Sequence, residues 1–240
     1  MQTAPRKKKN KNFESLYTVY QPIVGIRDRK ILGYEALTRG IGKWRLPDNI
    51  FRHSYEQGFT IALDLECMWQ CLEILPRLDK KKLLFVNIEP MTLEHAFTQG
   101  AEGQFLLKKI GACAPQVVFE FTEGMKARDF KLTKKGVAFL RRHNCRFAID
   151  DVSGIGHKLF RLLSLKPDFL KVDISLIRGI VKSPLHQDLV QRLLSLSKKS
   201  GSRVVAEGLE KKDDVELVSE MGIPYAQGFY FGRPRRKLLK

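Results

Sequence analysis

Hydrophobic and polar positions follow two rhythms along this chain. Short runs rich in β-branched and aromatic residues predict strands at Thr18–Ile26, Ile31–Leu37, Leu83–Ile88, Val117–Phe121, Arg146–Asp150, Phe169–Val172, Arg203–Ala206 and Tyr225–Phe231. Between most of them, apolar residues recur at helical spacing, as in Asp48–Leu78, Asp129–His143, Leu185–Ser200 and Lys211–Met221. Only Arg27–Lys30 separates the first two runs, too little for a crossover helix, so these strands are expected to pair antiparallel. The later connections are long enough for βαβ units and a parallel sheet. Eight strands in 240 residues point to an α/β fold, a modified (β/α)8 TIM-like barrel opened by an antiparallel first strand. An open doubly wound sheet satisfies the same pattern. The body shows neither a Pro/Gly/Ser-rich linker nor a solenoid repeat.

Charge refines this picture only at the ends. The 43 Lys and Arg against 26 Asp and Glu give a formal +17. Ten of those charges lie in two short end segments: Arg6, Lys7, Lys8, Lys9 and Lys11, then Arg233, Arg235, Arg236, Lys237 and Lys240. Basic ends of this kind can hold nucleic acid or an anionic membrane surface, or be solvated. The remaining body still carries +7, which suits an anionic small ligand. No stretch reaches membrane-span length, and the basic N-terminus meets Asn12, Glu14 and Ser15 rather than an apolar leader core. A soluble, unexported protein is expected. Cys67, Cys71, Cys113 and Cys145 have no zinc-type spacing and read as reduced core thiols.

The chemistry is concentrated where the strand runs close. Glu35, Asn87, Glu120, Asp150, Asp151, Lys171, Glu207 and Gln227 all sit in or directly after apolar runs. In a parallel-stranded barrel every strand delivers a side chain to the C-terminal rim, so these groups are expected to converge on one mouth. Bare carboxylates around a common point repel by several kcal/mol per close pair, which calls for a cation among them. Oxygen ligands without His or Cys favour Mg²⁺ or Mn²⁺ over Zn²⁺. Asp150 and Asp151 would face opposite sides of an extended strand, but a chain turning at the strand end lets both reach metal. Two ions about 3.5–4 Å apart sharing a carboxylate would clamp a phosphodiester and acidify a water. The plainer account is that Lys171 forms a salt bridge with Asp150 or Asp151; one lysine accounts poorly for five acids.

These residues resemble a known family. Tyr20-Gln21-Pro22-Ile23-Val24 and Glu35-Ala36-Leu37-Thr38-Arg39 resemble the opening of EAL-domain cyclic di-GMP phosphodiesterases. The likeness continues through Val86-Asn87-Ile88, Glu120-Phe121-Thr122-Glu123, Asp150-Asp151, Leu170-Lys171-Val172-Asp173, Ala206-Glu207-Gly208-Leu209-Glu210 and Gln227-Gly228-Phe229 to Gly232-Arg233-Pro234. It covers about residues 17–234, and with the charge pattern the chain divides into a basic N-terminal tail over residues 1–14, an EAL-type barrel over 15–234 and a basic C-terminal tail over 235–240. The resemblance implies that Glu35, Asn87, Glu120 and Asp150 hold one metal ion, and that Asp150 bridges to a second held with Asp151 and Glu207. It makes Lys171, Glu35 and Gln227 catalytic: Lys171 as base or electrostatic stabiliser, Gln227 as a positioner of water and ligand. Gln21, Leu37, Arg39 and Asp64 would contact substrate, Arg39 through its planar fork. Glu123 and Glu210 would steady the loop after Asp151.

The implied reaction is hydrolysis of cyclic di-GMP to linear pGpG by a metal-activated water, with two Mg²⁺ or Mn²⁺ ions. The implied setting is a bacterial cytoplasmic signalling enzyme, as a homodimer or with a regulatory protein partner. Two features depart from the family. After the Asp pair the chain reads Val152-Ser153-Gly154-Ile155-Gly156 instead of the usual Phe-Gly-Thr-Gly. Glu89 stands where a small Ser is common, and as the residue before Pro90 it is expected to face solvent. The altered loop keeps a second reading open: a catalytically silent EAL-type receptor that binds cyclic di-GMP and signals through a partner. A nucleic-acid-binding role would need basic residues interleaved with aromatics on one surface, and the tails carry no aromatic.

Overall fold

The computed structural model describes residues 16–42, 47–98, 108, 115–122 and 130–239. The predicted N-terminal tail, Cys113 and Glu123 lie outside them.

Eight strands close into a barrel in sequence order. They are β1 (Tyr17–Gly25), β2 (Ile31–Arg39), β3 (Leu83–Asn87), β4 (Val117–Thr122), β5 (Arg146–Val152), β6 (Phe169–Val172), β7 (Arg203–Ala206) and β8 (Tyr225–Ala226). β1 runs antiparallel to both of its neighbours, β2 and β8. Every other pairing is parallel. The short Arg27–Lys30 connection is thus a hairpin, and the closed barrel replaces the open-sheet alternative.

The described helices are α1 (Pro47–Glu56), α2 (Thr60–Leu72), α3 (Pro90–Ala96), α4 (Phe130–Arg142), α5 (His157–Leu163), α6 (Ile174–Ile177), α7 (Pro184–Ser200) and α8 (Lys212–Glu220). α7 shows why the pattern was readable. Ser183 accepts a hydrogen bond from the His186 N–H, Pro184 opens the first turn, and Gly201 closes the last in a left-handed conformation.

Two predicted elements change. The single helical stretch Asp48–Leu78 is α1 and α2, separated where Gly58 takes φ +73°, followed by a 3₁₀ turn at Leu75–Arg77. The eighth strand stops at Ala226 rather than Phe231. Beyond it the backbone bonds to a loop: the Leu209 N–H donates to the Gln227 carbonyl, and the Tyr230 N–H to that of Leu209.

The barrel interior is a buried layer of Ile23, Phe85, Val118, Ala148, Phe169 and Val205, with Phe85 and Phe169 edge-to-face at 5.0 Å. A larger apolar layer, including Leu84, Phe119, Phe147, Leu170 and Val204, fills the space between strands and helices. Cys67, Cys71 and Cys145 are buried cysteines within the core, as expected. The C-terminal segment lies along β1, where Tyr20 and Arg235 exchange two backbone hydrogen bonds of 2.7 and 3.0 Å.

Candidate metal site

Strand periodicity builds the site. Successive side chains alternate faces, so the residue two positions along from an inward-facing apolar residue also faces inward. Two residues beyond Phe85, Val118, Ala148, Phe169 and Val205 stand Asn87, Glu120, Asp150, Lys171 and Glu207. Because β1 runs the other way, its corresponding residue precedes Ile23, at Gln21. The polar ring is therefore one pleat above the apolar plug.

Lys171 is its centre. The side chain is fully buried, and Nζ lies 2.9 Å from carboxylate oxygens of Glu120, Asp150 and Glu207 and 3.3 Å from one of Glu35. Burial pulls the ammonium pKa down, but Asp150, Glu120, Glu207 and Glu35 outweigh it and hold it well above the ordinary value. Burial raises the carboxyls of Glu120, Asp150 and Glu207, with Lys171 opposing the shift. The simple pairing of Lys171 with one Asp is thus replaced by a four-acid arrangement.

The acids form two groups able to hold a cation: Glu35, Glu120 and Asp150, then Asp150, Asp151 and Glu207. In each, one oxygen per residue lies within 4.8 Å of the others, and Asp150 belongs to both. Asp151 joins by a route other than the expected chain turn. β5 continues to Val152, but its register with β6 gains one residue between Ile149 and Val152, and Asp151 takes φ +55°. This bulge brings consecutive side chains to one site. The residues fit a hard divalent ion. All donors are oxygens, and Glu120 Oε2 is buried without a hydrogen-bond partner among the described residues.

Asn87 is exposed at the mouth and donates to Glu35 Oε1 at 3.4 Å. Gln227 is buried and donates to Glu35 Oε2 at 2.6 Å and to Gln21 Oε1 at 3.1 Å. Gln21 in turn donates to the Gly232 carbonyl. These two glutamines steady Glu35 from the side, and neither lines the adjoining cavity. That cavity, about 380 Å³, is walled by Glu35, Leu37, Arg39, Asp64, Asn87 and Asp151 among others. Arg39 Nη1 donates to the Thr38 carbonyl, and no other hydrogen bond of its fork is seen among the described residues. Asp64 is 3% exposed, accepts the Glu89 N–H at Oδ2, and is pushed up to about 7 by burial. Glu210 forms an exposed salt bridge with Arg178 at 2.9 Å, and no contact to the loop after Asp151 is seen among the described residues.

The structure adds wall residues that sequence reading missed. Phe51, Cys67, Cys71 and Thr122 line the cavity. Cys67 and Cys71 are three and seven positions after Asp64, so helical spacing was the available signal. Glu89 is half-buried in the same wall rather than solvent-facing. Gly154 and Gly156 in the altered loop use no left-handed conformation, and Val152 before them is fully buried.

A family model described as the EAL domain matches residues 3–234. The chain is 29% identical over 227 residues to Cyclic di-GMP phosphodiesterase PdeF of Escherichia coli (strain K12), covering 91% of this chain and 30% of that protein. It is 29% identical over 233 residues to Probable cyclic di-GMP phosphodiesterase PdeN of the same organism, covering 92% and 44%. It therefore spans less than half the length of these two relatives. A solved manganese and cyclic di-GMP complex of Klebsiella pneumoniae BlrP1 superposes with TM-score 0.78 at 28% identity, covering 98% of this chain and 57% of that one.

Proposed function

The chain belongs to the EAL domain family, and from that premise we propose that it hydrolyses one phosphodiester bond of cyclic di-GMP, giving linear pGpG. The observation that carries this reading is the pair of three-acid groups sharing Asp150 around the buried Lys171. Glu35, Asn87, Glu120 and Asp150 would hold one Mg²⁺ or Mn²⁺ ion, and Asp150, Asp151 and Glu207 a second. When bound, such ions acidify a water and neutralise charge building on phosphoryl oxygens.

The chain's own residues supply position and charge. Arg39 offers a planar fork to a phosphate from the cavity wall. Lys171 presents its ammonium among the same acids, where positive charge stabilises an in-line displacement at phosphorus. Gln227 fixes the orientation of Glu35, which the 2.6 Å hydrogen bond supports, and Gln21 fixes Gln227. In this reading Gln227 acts through Glu35 rather than on a free water. Asp64, Leu37 and Arg39 would contact the nucleotide. Glu123 lies outside the described residues, and Glu210 serves a surface pair.

Incubating purified protein with cyclic di-GMP and Mn²⁺ or Mg²⁺ tests the proposal. The expected result is linear pGpG, with the rate falling at least about 100-fold in Glu35→Ala. Bound but intact ligand would instead establish the silent receptor. Equal rates in wild type and Glu35→Ala would remove the site assignment.

Homodimerisation, a regulatory partner and a cytoplasmic location belong to the same proposal. The observation bearing on location is that no helix among the described residues is long and apolar enough to cross a membrane.

A further inference from the structure

Among the described residues, the carboxylate of Glu89 has no structural partner. It lies at the N-terminal boundary of α3, yet its side chain makes no capping hydrogen bond to that helix. Its backbone N–H donates to Asp64 Oδ2 at 3.0 Å, while no hydrogen bond or ion pair engages its carboxylate among the described residues. It belongs to neither of the acid groups able to share a cation. It is nevertheless half-buried and lines the cavity that Arg39, Asp64 and Asn87 also line. Water can solvate a carboxylate at this wall, so a ligand that displaces that water must bring hydrogen-bond donors to it.

The cavity wall shows what kind of ligand group fits. Phe51 is the aromatic residue among its described lining residues, and an aromatic ring is the side chain on which a base stacks. An ionised carboxylate accepts two parallel N–H donors. Among the purines, guanine presents that pair at N1–H and the exocyclic amine on C2. Adenine presents an acceptor at N1 and no amine on C2.

We propose that Glu89 reads the N1–H and N2–H₂ edge of a guanine stacked against Phe51, and so sets guanine selectivity at this site. Asp64 suits this role less well, because it is nearly fully buried and its Oδ2 already accepts the Glu89 N–H. The inference rests on the cyclic di-GMP reading and adds the residue that recognises one base.

Steady-state hydrolysis of cyclic di-GMP by wild type, Glu89→Gln and Glu89→Ala tests it, with cyclic di-AMP as competitor and the thermal midpoint as a check on folding. In the variants KM rises about 10- to 100-fold while kcat stays within about twofold, because the contact is to the base and not the reacting phosphate. The preference for cyclic di-GMP over cyclic di-AMP shrinks by the same factor. Unchanged KM and unchanged preference in both variants would overturn the inference. So would a parallel loss of kcat and Mn²⁺ affinity, which would mean that Glu89 acts through Asn87. If wild type itself neither binds nor hydrolyses cyclic di-GMP, the functional reading fails first. If wild type is active and both variants match it, the Glu89 assignment alone fails.

Discussion

At the scale of single residues, the site is governed by what burial does to charge. Asp64 is buried, and burial pushes its pKa from 3.8 to about 7. Between those values the folded chain keeps a proton that the unfolded chain has released. Folding then takes up a proton, so this group lowers stability as pH rises through the window, by about 1.4 kcal/mol per pH unit. Below the window the penalty is absent, and above about 7 it is constant. Asn at this position can still accept the Glu89 N–H. The stability advantage of Asp64→Asn over wild type should therefore grow from pH 5 to pH 7 and level off beyond, as followed by urea denaturation. A difference that is flat over that range would mean Asp64 is ionised when folded. Asp64 also shows the limit of sequence reading here. Its type and helical face were legible, whereas its hydrogen-bond partner is the Glu89 backbone N–H, 25 positions later, which no local pattern specifies. Lys171 was legible as a lone cation among acids, but its four partners come from β2, β4, β5 and the residue just after β7, and only closure of the barrel brings them together.

At the scale of elements, alternation along strands made the ring of polar residues predictable, because each is two positions from an apolar core residue. What alternation cannot supply is the exception. Asp151 reaches the site through a bulge that adds one residue between Ile149 and Val152 and a left-handed backbone at a non-glycine position. The composition Asp-Asp-Val carries no signal for it. The shortened β8 is a similar case: its apolar run continues to Phe231, but loop hydrogen bonds to Leu209 take over after Ala226. The bulge has a measurable consequence, since it makes Asp150 the one member common to both carboxylate groups. Titration calorimetry with Mn²⁺ should show two binding events in wild type. Asp150→Ala should abolish both, whereas Glu207→Gln should weaken one by about 10- to 100-fold. Equal effects of the two substitutions would show that the groups are not joined through Asp150.

At the scale of the whole molecule, charge and topology meet at the C-terminal segment. Its basic composition marked it in the sequence as a tail, and Arg235, Arg236 and Lys237 are indeed exposed. Its backbone is another matter. Tyr20 and Arg235 exchange two hydrogen bonds, the Tyr34 hydroxyl donates to the Leu239 carbonyl, and the Arg236 guanidinium lies 4.1 Å from the Tyr17 ring centroid. Leu238 packs against the outer apolar layer. These contacts pair residues more than 200 positions apart, which explains why no local pattern announced them. They also adjoin the site, because Gln21 on β1 connects the Gly232 carbonyl to Gln227 and thence to Glu35. Deleting residues 235–240 removes the Tyr20 pair and the Leu238 contact while leaving Gly232 in the chain. Each lost backbone hydrogen bond costs about 0.5–1.5 kcal/mol, and each kcal/mol lowers the thermal midpoint of a domain this size by about 2–4 °C. A fall of several degrees is expected in a thermal scan, together with weaker Mn²⁺ binding if β1 no longer holds Gln21 and Gln227 against Glu35. Replacing Arg235, Arg236 and Lys237 with Gln keeps the backbone bonds and removes the charge, so that variant should keep most of the midpoint. Should the charge-free variant fall as far as the deletion, the segment would be held by its side-chain charges rather than by its backbone pairing with β1.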